Sequence, residues 1–268
     1  MEAIFFKPNK MLAQYIDRYW IWNNKEDEIM YMPQIPIGLG IDLFFHFRKP
    51  FVTAQKGALA PSHIIFLNQN PCNILPMKEV GFVAVRFKVG SFKHFMNIPM
   101  IELQDNFLDI KSIWNKNELD NISTKIDEAV DIKEMIINIE LFLLKALNKY
   151  QKENKMWDEV IQELFYYHDD NKLVELSKTM KLSYRHFRRK HLRESGFTPK
   201  HFQKLARFRS TLKPLLLKKE KSYLSYALES GYFDQSHFIK DFKAFTNSTP
   251  GLFLQHKNFM SHFYYPSF

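Results

Sequence analysis

The chain has 268 residues, with 38 Lys and Arg against 29 Asp and Glu for a formal net charge of +9, 46% hydrophobic residues, 16% aromatic residues and one cysteine. That length suits two ordinary domains with proper cores, and the basic balance points to a polyanionic partner. No apolar run approaches the ~18 residues of a membrane span, Met1–Lys7 lacks a signal-peptide pattern, and the lone Cys72 excludes an intrachain disulfide or a cysteine zinc cluster, so a soluble, cytoplasmic protein is expected.

In chain order, Tyr15–Trp22, Gly40–Phe47, His63–Leu67 and Gly81–Phe87 are short runs rich in β-branched and aromatic residues, bounded by turn formers, and predict strands. Gly90–Asn97 predicts a short helix with Ser91 as its cap. Lys116–Val130 and Ile132–Lys149 predict a helical hairpin, the second helix carrying Ile136, Ile137, Leu141, Leu144 and Leu147 along one face. Such a hairpin packs on a sheet or forms a dimer seam. The polar stretch Tyr150–Lys155 reads as a linker.

Beyond the linker the pattern is wholly helical. Trp157–Tyr167 turns Val160, Ile161, Leu164 and Phe165 inward, Asp169–Asn171 caps a helix over Leu173–Met180, and Pro199–Leu217 is long, with Pro214 near its end. The expected fold class is therefore α+β: a mixed, β-rich N-terminal domain with a helical hairpin (1–150), then an all-α domain of seven helices (156–258). Charge divides the chain at the same place. Residues 1–154 hold 18 basic and 18 acidic residues, whereas residues 155–268 hold 20 and 11, so the whole excess is C-terminal.

The helical half repeats itself about 51 residues apart. Ser183-Tyr184-Arg185-His186-Phe187 aligns with Asp234-Gln235-Ser236-His237-Phe238, Gly196-Phe197-Thr198-Pro199 with Asn247-Ser248-Thr249-Pro250, and Phe202 with Phe253. Each unit reads as helix, tight turn, capped second helix and a Thr-Pro start to a third. Gly231 supplies the left-handed residue of the second turn, while Lys181 stands there in the first, at a cost of roughly 1 kcal/mol. From Arg185 to Arg193 there are five cations and no acid. Two similar units in tandem fit one long partner, double-stranded DNA.

These residues resemble the AraC/XylS family of bacterial transcription regulators. The match is carried by Gly231-Tyr-Phe-Asp-Gln-Ser-His-Phe-Ile-Lys-Asp-Phe-Lys243 with Thr249-Pro250, and by Leu182-Ser183, Gly196–Pro199 and Leu205-Ala206-Arg207-Phe208 in the first unit and linker helix. Lys181 replaces the family's usual glycine and His191 a usual core phenylalanine. The front half resembles, more weakly, an uncharacterised β-rich sensor domain of some members, through Pro36-Ile37-Gly38, Leu43-Phe44-Phe45 and Val85–Gly90.

The resemblance implies two recognition helices in successive major grooves, with the front domain sensing an effector or pairing two copies, and RNA polymerase recruited or blocked. Arg185, Arg188 and Arg189, at i, i+3 and i+4, are expected to reach base edges in the first unit, arginine being suited to guanine O6 and N7. Gln235, Ser236, Ile239 and Lys240 take the matching places in the second. Tyr184, Lys190, Arg193 and Lys243 are better placed for phosphate. His186 and His237 read as structural and not as metal ligands; no cofactor or metal is expected. Partners are then DNA, RNA polymerase, a small-molecule effector and a second copy in a homodimer. An enzyme delivered to DNA finds no nucleophile elbow, metal-binding His-Glu-x-x-His or phosphate-cradling loop to rest on. A non-DNA protein-interaction module is the other alternative, and it predicts that removing Arg185, Arg188 and Arg189 leaves nucleic-acid affinity near its starting value.

Overall fold

The computed structural model describes residues 3–24, 27–30, 35, 37–66, 70–103, 107–151, 155–167, 170–217 and 222–255. In the first half the β-branched and aromatic runs become strands β1 (Ile4–Phe6), β2 (Ile16–Asn23), β3 (Ile41–His46), β4 (Val52–Thr53), β5 (Gly57–Ala58), β6 (Ser62–Phe66), β7 (Gly81–Phe87) and β8 (Phe107–Asp109). The four expected strands match β2, β3, β6 and β7; Leu67 and Pro36 lie outside the described residues. The other four have only two or three residues, too few to display an alternation.

Six strands form one antiparallel sheet in the order β1-β2-β7-β3-β6-β8, and β4 pairs with β5. The register sorts the side chains, because directly paired residues share a face. Tyr19, Val85 and Leu43 line one face, and Phe45 on that side meets Phe142 edge-on at 6.4 Å. Trp20, Ala84 and Phe44 line the other, where Phe51 packs on Phe44 at 5.2 Å. Both faces of β3 and β7 are buried, which explains their near-continuous apolar runs.

The helix expected at 90–97 is a single 3₁₀ turn, Phe92–Phe95, and Ser91 precedes it without a side-chain capping bond. Phe92 and Phe95, three apart, both pack on Phe87, and the Trp114 indole N–H donates to the Phe95 carbonyl at 3.0 Å. The eclipsed i, i+3 spacing of a 3₁₀ turn serves that packing.

The hairpin follows as α1 (Lys116–Asp127) and α2 (Ile132–Tyr150). A capping box between Asn115 and Glu118 starts α1, and the Asp131 carboxylate starts α2. The expected stripe on α2 is corrected. Ile136 and Leu147 are buried, but Ile137 is 55% and Leu141 46% exposed, and the inward positions are filled by Ile139, Phe142, Leu143 and Ala146. With nearly every position from Met135 to Leu144 apolar, periodicity leaves the phase open; fit against Phe45 and Trp114 sets it.

The second half consists, among the described residues, of seven helices: α3 (Lys155–Tyr166), α4 (Asp170–Thr179), α5 (Tyr184–Ser195), α6 (Pro199–Leu217), α7 (Tyr223–Glu229), α8 (Gln235–Thr246) and α9 (Pro250–Gln255). Asp169 of the expected capping cluster lies outside the described residues. Pro214 neither ends nor breaks α6. One stretch of α6 meets the first unit, Phe202 packing on His191 at 5.2 Å; a later one meets the second, Phe208 packing on Phe242 at 5.4 Å.

Candidate DNA-binding surface

The two units repeat in their backbone hydrogen bonds as well as their sequence. Leu182 N donates to Ser177 O at 2.9 Å, and Tyr232 N to Ala227 O at 3.0 Å, 50 residues on. Ser177 and Ala227, the acceptors of these bonds, are both buried. After the turn the offset becomes 51: Gly196 N donates to Leu192 O as Asn247 N donates to Lys243 O, both at 2.9 Å. The second turn is thus one residue longer, and the extra residue is Phe233, 87% exposed.

Left-handed residues stand where the turns require them. Lys181 (φ 52°) and Gly231 (φ 89°) close α4 and α7, and Gly196 (φ 80°) and Asn247 (φ 52°) close α5 and α8. The second helices begin on side-chain caps, with the His186 amide donating to Ser183 Oγ at 3.3 Å and the His237 amide to Asp234 Oδ1 at 2.7 Å. Phe187 and Phe238 are fully buried and anchor the two helices from the inside.

With those anchors fixed, the outward faces follow. Arg185, Arg188, Arg189 and Arg193 are exposed on α5, and Tyr184 is exposed at its start. Lys190 is half-buried, its ammonium 5.3 Å over the Trp157 ring, an arrangement that sequence spacing does not reveal. On α8, Gln235, Ser236, Lys240 and Lys243 are exposed, while Ile239 is half-buried against the core. His237 keeps to its own unit, its ring 5.1 Å from Tyr232 and Nε2 3.8 Å from Asp241. His186, read as structural from the repeat, is exposed beside Arg185 and Arg189; its place three residues after the cap Ser183 was the available signal.

His191 shows how the departure from phenylalanine is accommodated. It is fully buried, with Nδ1 2.9 Å from the Phe197 carbonyl and 3.0 Å from Ser195 Oγ. Burial pushes its pKa down to about 4, so the ring is neutral and Nδ1 carries the proton donated to Phe197.

The β-rich half grips both units from behind. Lys93, only 3% exposed at its side chain, reaches Asp158 of α3 at 2.8 Å and Glu194 of α5 at 3.3 Å, and His94 Nε2 lies 3.1 Å from Asp158. Against the opposing effect of its partial burial, the hydrogen bonds from His94 and Lys93 and the Lys93 charge hold the Asp158 carboxyl below its usual range. A Cβ on Gly90 would meet Ile161 at 2.6 Å, so only glycine lets α3 approach. Phe66 packs edge-on to Phe197 at 5.4 Å, and Ile37 N donates to the Phe245 carbonyl at the end of α8 at 3.0 Å.

Beside these contacts a cavity of about 940 Å³ opens between the halves. Tyr15, Arg86 and Lys88 line it from the sheet side, Lys155, Phe165 and Arg209 from the helices. Arg86 is engaged by Asp42, with Nε 2.7 Å from Oδ1. Among the described residues no cluster of three or more His, Cys, Asp or Glu side chains could hold a metal, and no helix is long and apolar enough to cross a membrane. Cys72 is buried and its thiol is pushed up to about 12, which leaves it a packing residue.

Tandem capped helices with a cationic outer face define a helix-turn-helix DNA-binding protein. The comparisons agree: residues 176–256 match the profile described as a helix-turn-helix domain, and residues 4–109 match a domain of unknown function (DUF6597). Residues 176–256 are thus a helix-turn-helix domain, and the chain resembles DNA-binding transcription regulators of the AraC type. No curated relative matches it by sequence. Among solved structures it is similar to the apo form of a ToxT variant from Vibrio cholerae, at 15% identity and TM-score 0.47, covering 88% of this chain and 96% of that one. It is also similar to ToxT from Vibrio cholerae bound to (E)-4-(8-methylnaphthalen-1-yl)but-3-enoic acid, at 13% identity and TM-score 0.47, covering 95% and 97%.

Proposed function

We propose that the protein is a sequence-specific transcription factor that places α5 and α8 in successive major grooves on one side of the duplex. The observation that carries this reading is the outer face of α5, where Arg185, Arg188, Arg189 and Arg193 are all exposed with no acid among them. Arg185, Arg188 and Arg189 read bases, with guanine the natural target; Gln235, Ser236 and Lys240 do so on α8, and Ile239 meets a thymine methyl with the edge it leaves exposed. Tyr184, Arg193 and Lys243 contact phosphate, and Lys190 does so from its seat on Trp157. Residues 156–258 form the DNA-binding domain and residues 1–150 the sensing and pairing domain, acting in a cytoplasmic, non-enzymatic protein that recruits or blocks RNA polymerase. The cavity between the halves is the natural seat of a small effector, because a ligand there touches Asp158 and His94, which tie α3 to the sheet.

Selection of duplexes from a random library by the full-length protein at ~0.15 M salt tests the reading. Two short boxes about one helical turn apart are expected. Recovery of no motif, together with an unchanged salt dependence after Arg185, Arg188 and Arg189 are all replaced by alanine, overturns it in favour of a protein-interaction module.

A further inference from the structure

We infer that Tyr223 is a positioning residue for base recognition by the second unit: it aligns the Gln235 carboxamide before DNA arrives. This rests on the proposed base-reading role of Gln235. Gln235 is the first residue of α8 and exposed, and its Nε2 donates to the Tyr223 hydroxyl at 2.8 Å. Tyr223 cannot readily move, because it opens α7 behind the Ser222 cap and its ring stacks on the buried Phe238 at 6.0 Å and 25°. The core of the unit therefore reaches through one phenol to the tip of its reading helix.

The chemistry suits the task. Glutamine reads adenine with two groups at once, Oε1 accepting from N6 and Nε2 donating to N7, and both must lie in the plane of the base. Nε2 has two hydrogens, so one can stay on Tyr223 while the other reaches the base, and Oε1 remains available. A glutamine on its own must surrender side-chain rotamers on binding, and it can present its two ends in either order. Held by Tyr223, it gives up less freedom and presents one order. The first unit has no such device. Leu173 occupies the equivalent place, 50 residues earlier, buried and without a polar atom. It does not need one, because the planar guanidinium forks of Arg185, Arg188 and Arg189 arrive preorganised.

The test uses full-length wild type, Tyr223→Phe, Gln235→Ala and the double variant, each titrated against duplexes carrying every base in turn across the second box, and against an unrelated duplex. Tyr223→Phe keeps the ring stack, so its melting temperature and its affinity for the unrelated duplex are expected to match wild type. Discrimination is expected to fall about three- to tenfold at the one position that Gln235→Ala abolishes, and at no other. The double variant should be no worse there than Gln235→Ala alone. A Tyr223→Phe protein with wild-type discrimination at that position, or with losses spread over the whole box, overturns the assignment to Tyr223 while leaving Gln235 as a reader. A Gln235→Ala protein that keeps every base preference overturns both.

Discussion

Lys181 closes the first turn with φ 52°, where its counterpart Gly231 has φ 89°. A side chain in the left-handed region costs roughly 1 kcal/mol, and Lys181 is exposed, so no packing is lost by removing it. Lys181→Gly is expected to stabilise the protein by up to about 1 kcal/mol, less the extra entropy of glycine in the unfolded chain. The check is the denaturation midpoint, which should rise and not fall.

The buried histidines set a pH dependence. Burial pushes His191 and His63 down to about 4 and His46 to about 3. Between those values and the ordinary value near 6.5, the unfolded chain takes up protons that the folded chain refuses. Stability is therefore fully present above about pH 6.5 and drains away as pH falls toward 4, at up to about 1.4 kcal/mol per pH unit for each ring. His191→Phe keeps an aromatic ring at this buried position and removes one of these protons. Denaturant titrations at pH 7.5 and 5 should show a smaller difference for this variant than for wild type.

At the scale of elements, the caps decide where α5 and α8 begin. Ser183→Ala and Asp234→Ala each remove the acceptor for an orphan amide and should cost about 1 kcal/mol. The second should cost more, since its bond is 2.7 Å against 3.3 Å and its acceptor is charged. Equal, negligible losses in chemical denaturation would show that packing on Phe187 and Phe238 alone fixes the starts.

The caps also show what the sequence makes legible. Ser183, Asp234, Gly231 and the Thr-Pro pairs are local rules, each satisfied within four residues, so the helical half could be read nearly element by element. The stripe on α2 could not, because an almost wholly apolar helix has no phase until Phe45 and Trp114 impose one. The same limit hid the seat of Lys190 on Trp157 and the bond from Gln235 to Tyr223, which join residues 33 and 12 apart across separate helices. The grip of Lys93 on Glu194, 101 residues away, leaves no trace in any window of sequence.

For the whole molecule, spacing between α5 and α8 has two determinants. Helix α6 contacts both units, through Phe202 and Phe208. The β-rich half contacts both as well, through Lys93 and Phe66 at the end of α5 and through Ile37 at the end of α8. Lys93 is buried but its partners are partly exposed, Asp158 at 38%, so breaking this cluster costs less than breaking a fully buried ion pair. Lys93→Met keeps the aliphatic stem but leaves Asp158 with His94 alone and takes the ammonium from Glu194, so Glu194 is drawn toward water and the tie between α3 and α5 loosens. Wild type should lose at least about tenfold in affinity when two base pairs are inserted between the boxes of its operator, since about 7 Å and a fifth of a turn separate the grooves anew. Lys93→Met should lose measurably less on the same insertion, while binding the unmodified operator more weakly. Equal losses for the two proteins would mean that α6 alone holds the units, and that the β-rich half rests against the reading helices without steering them.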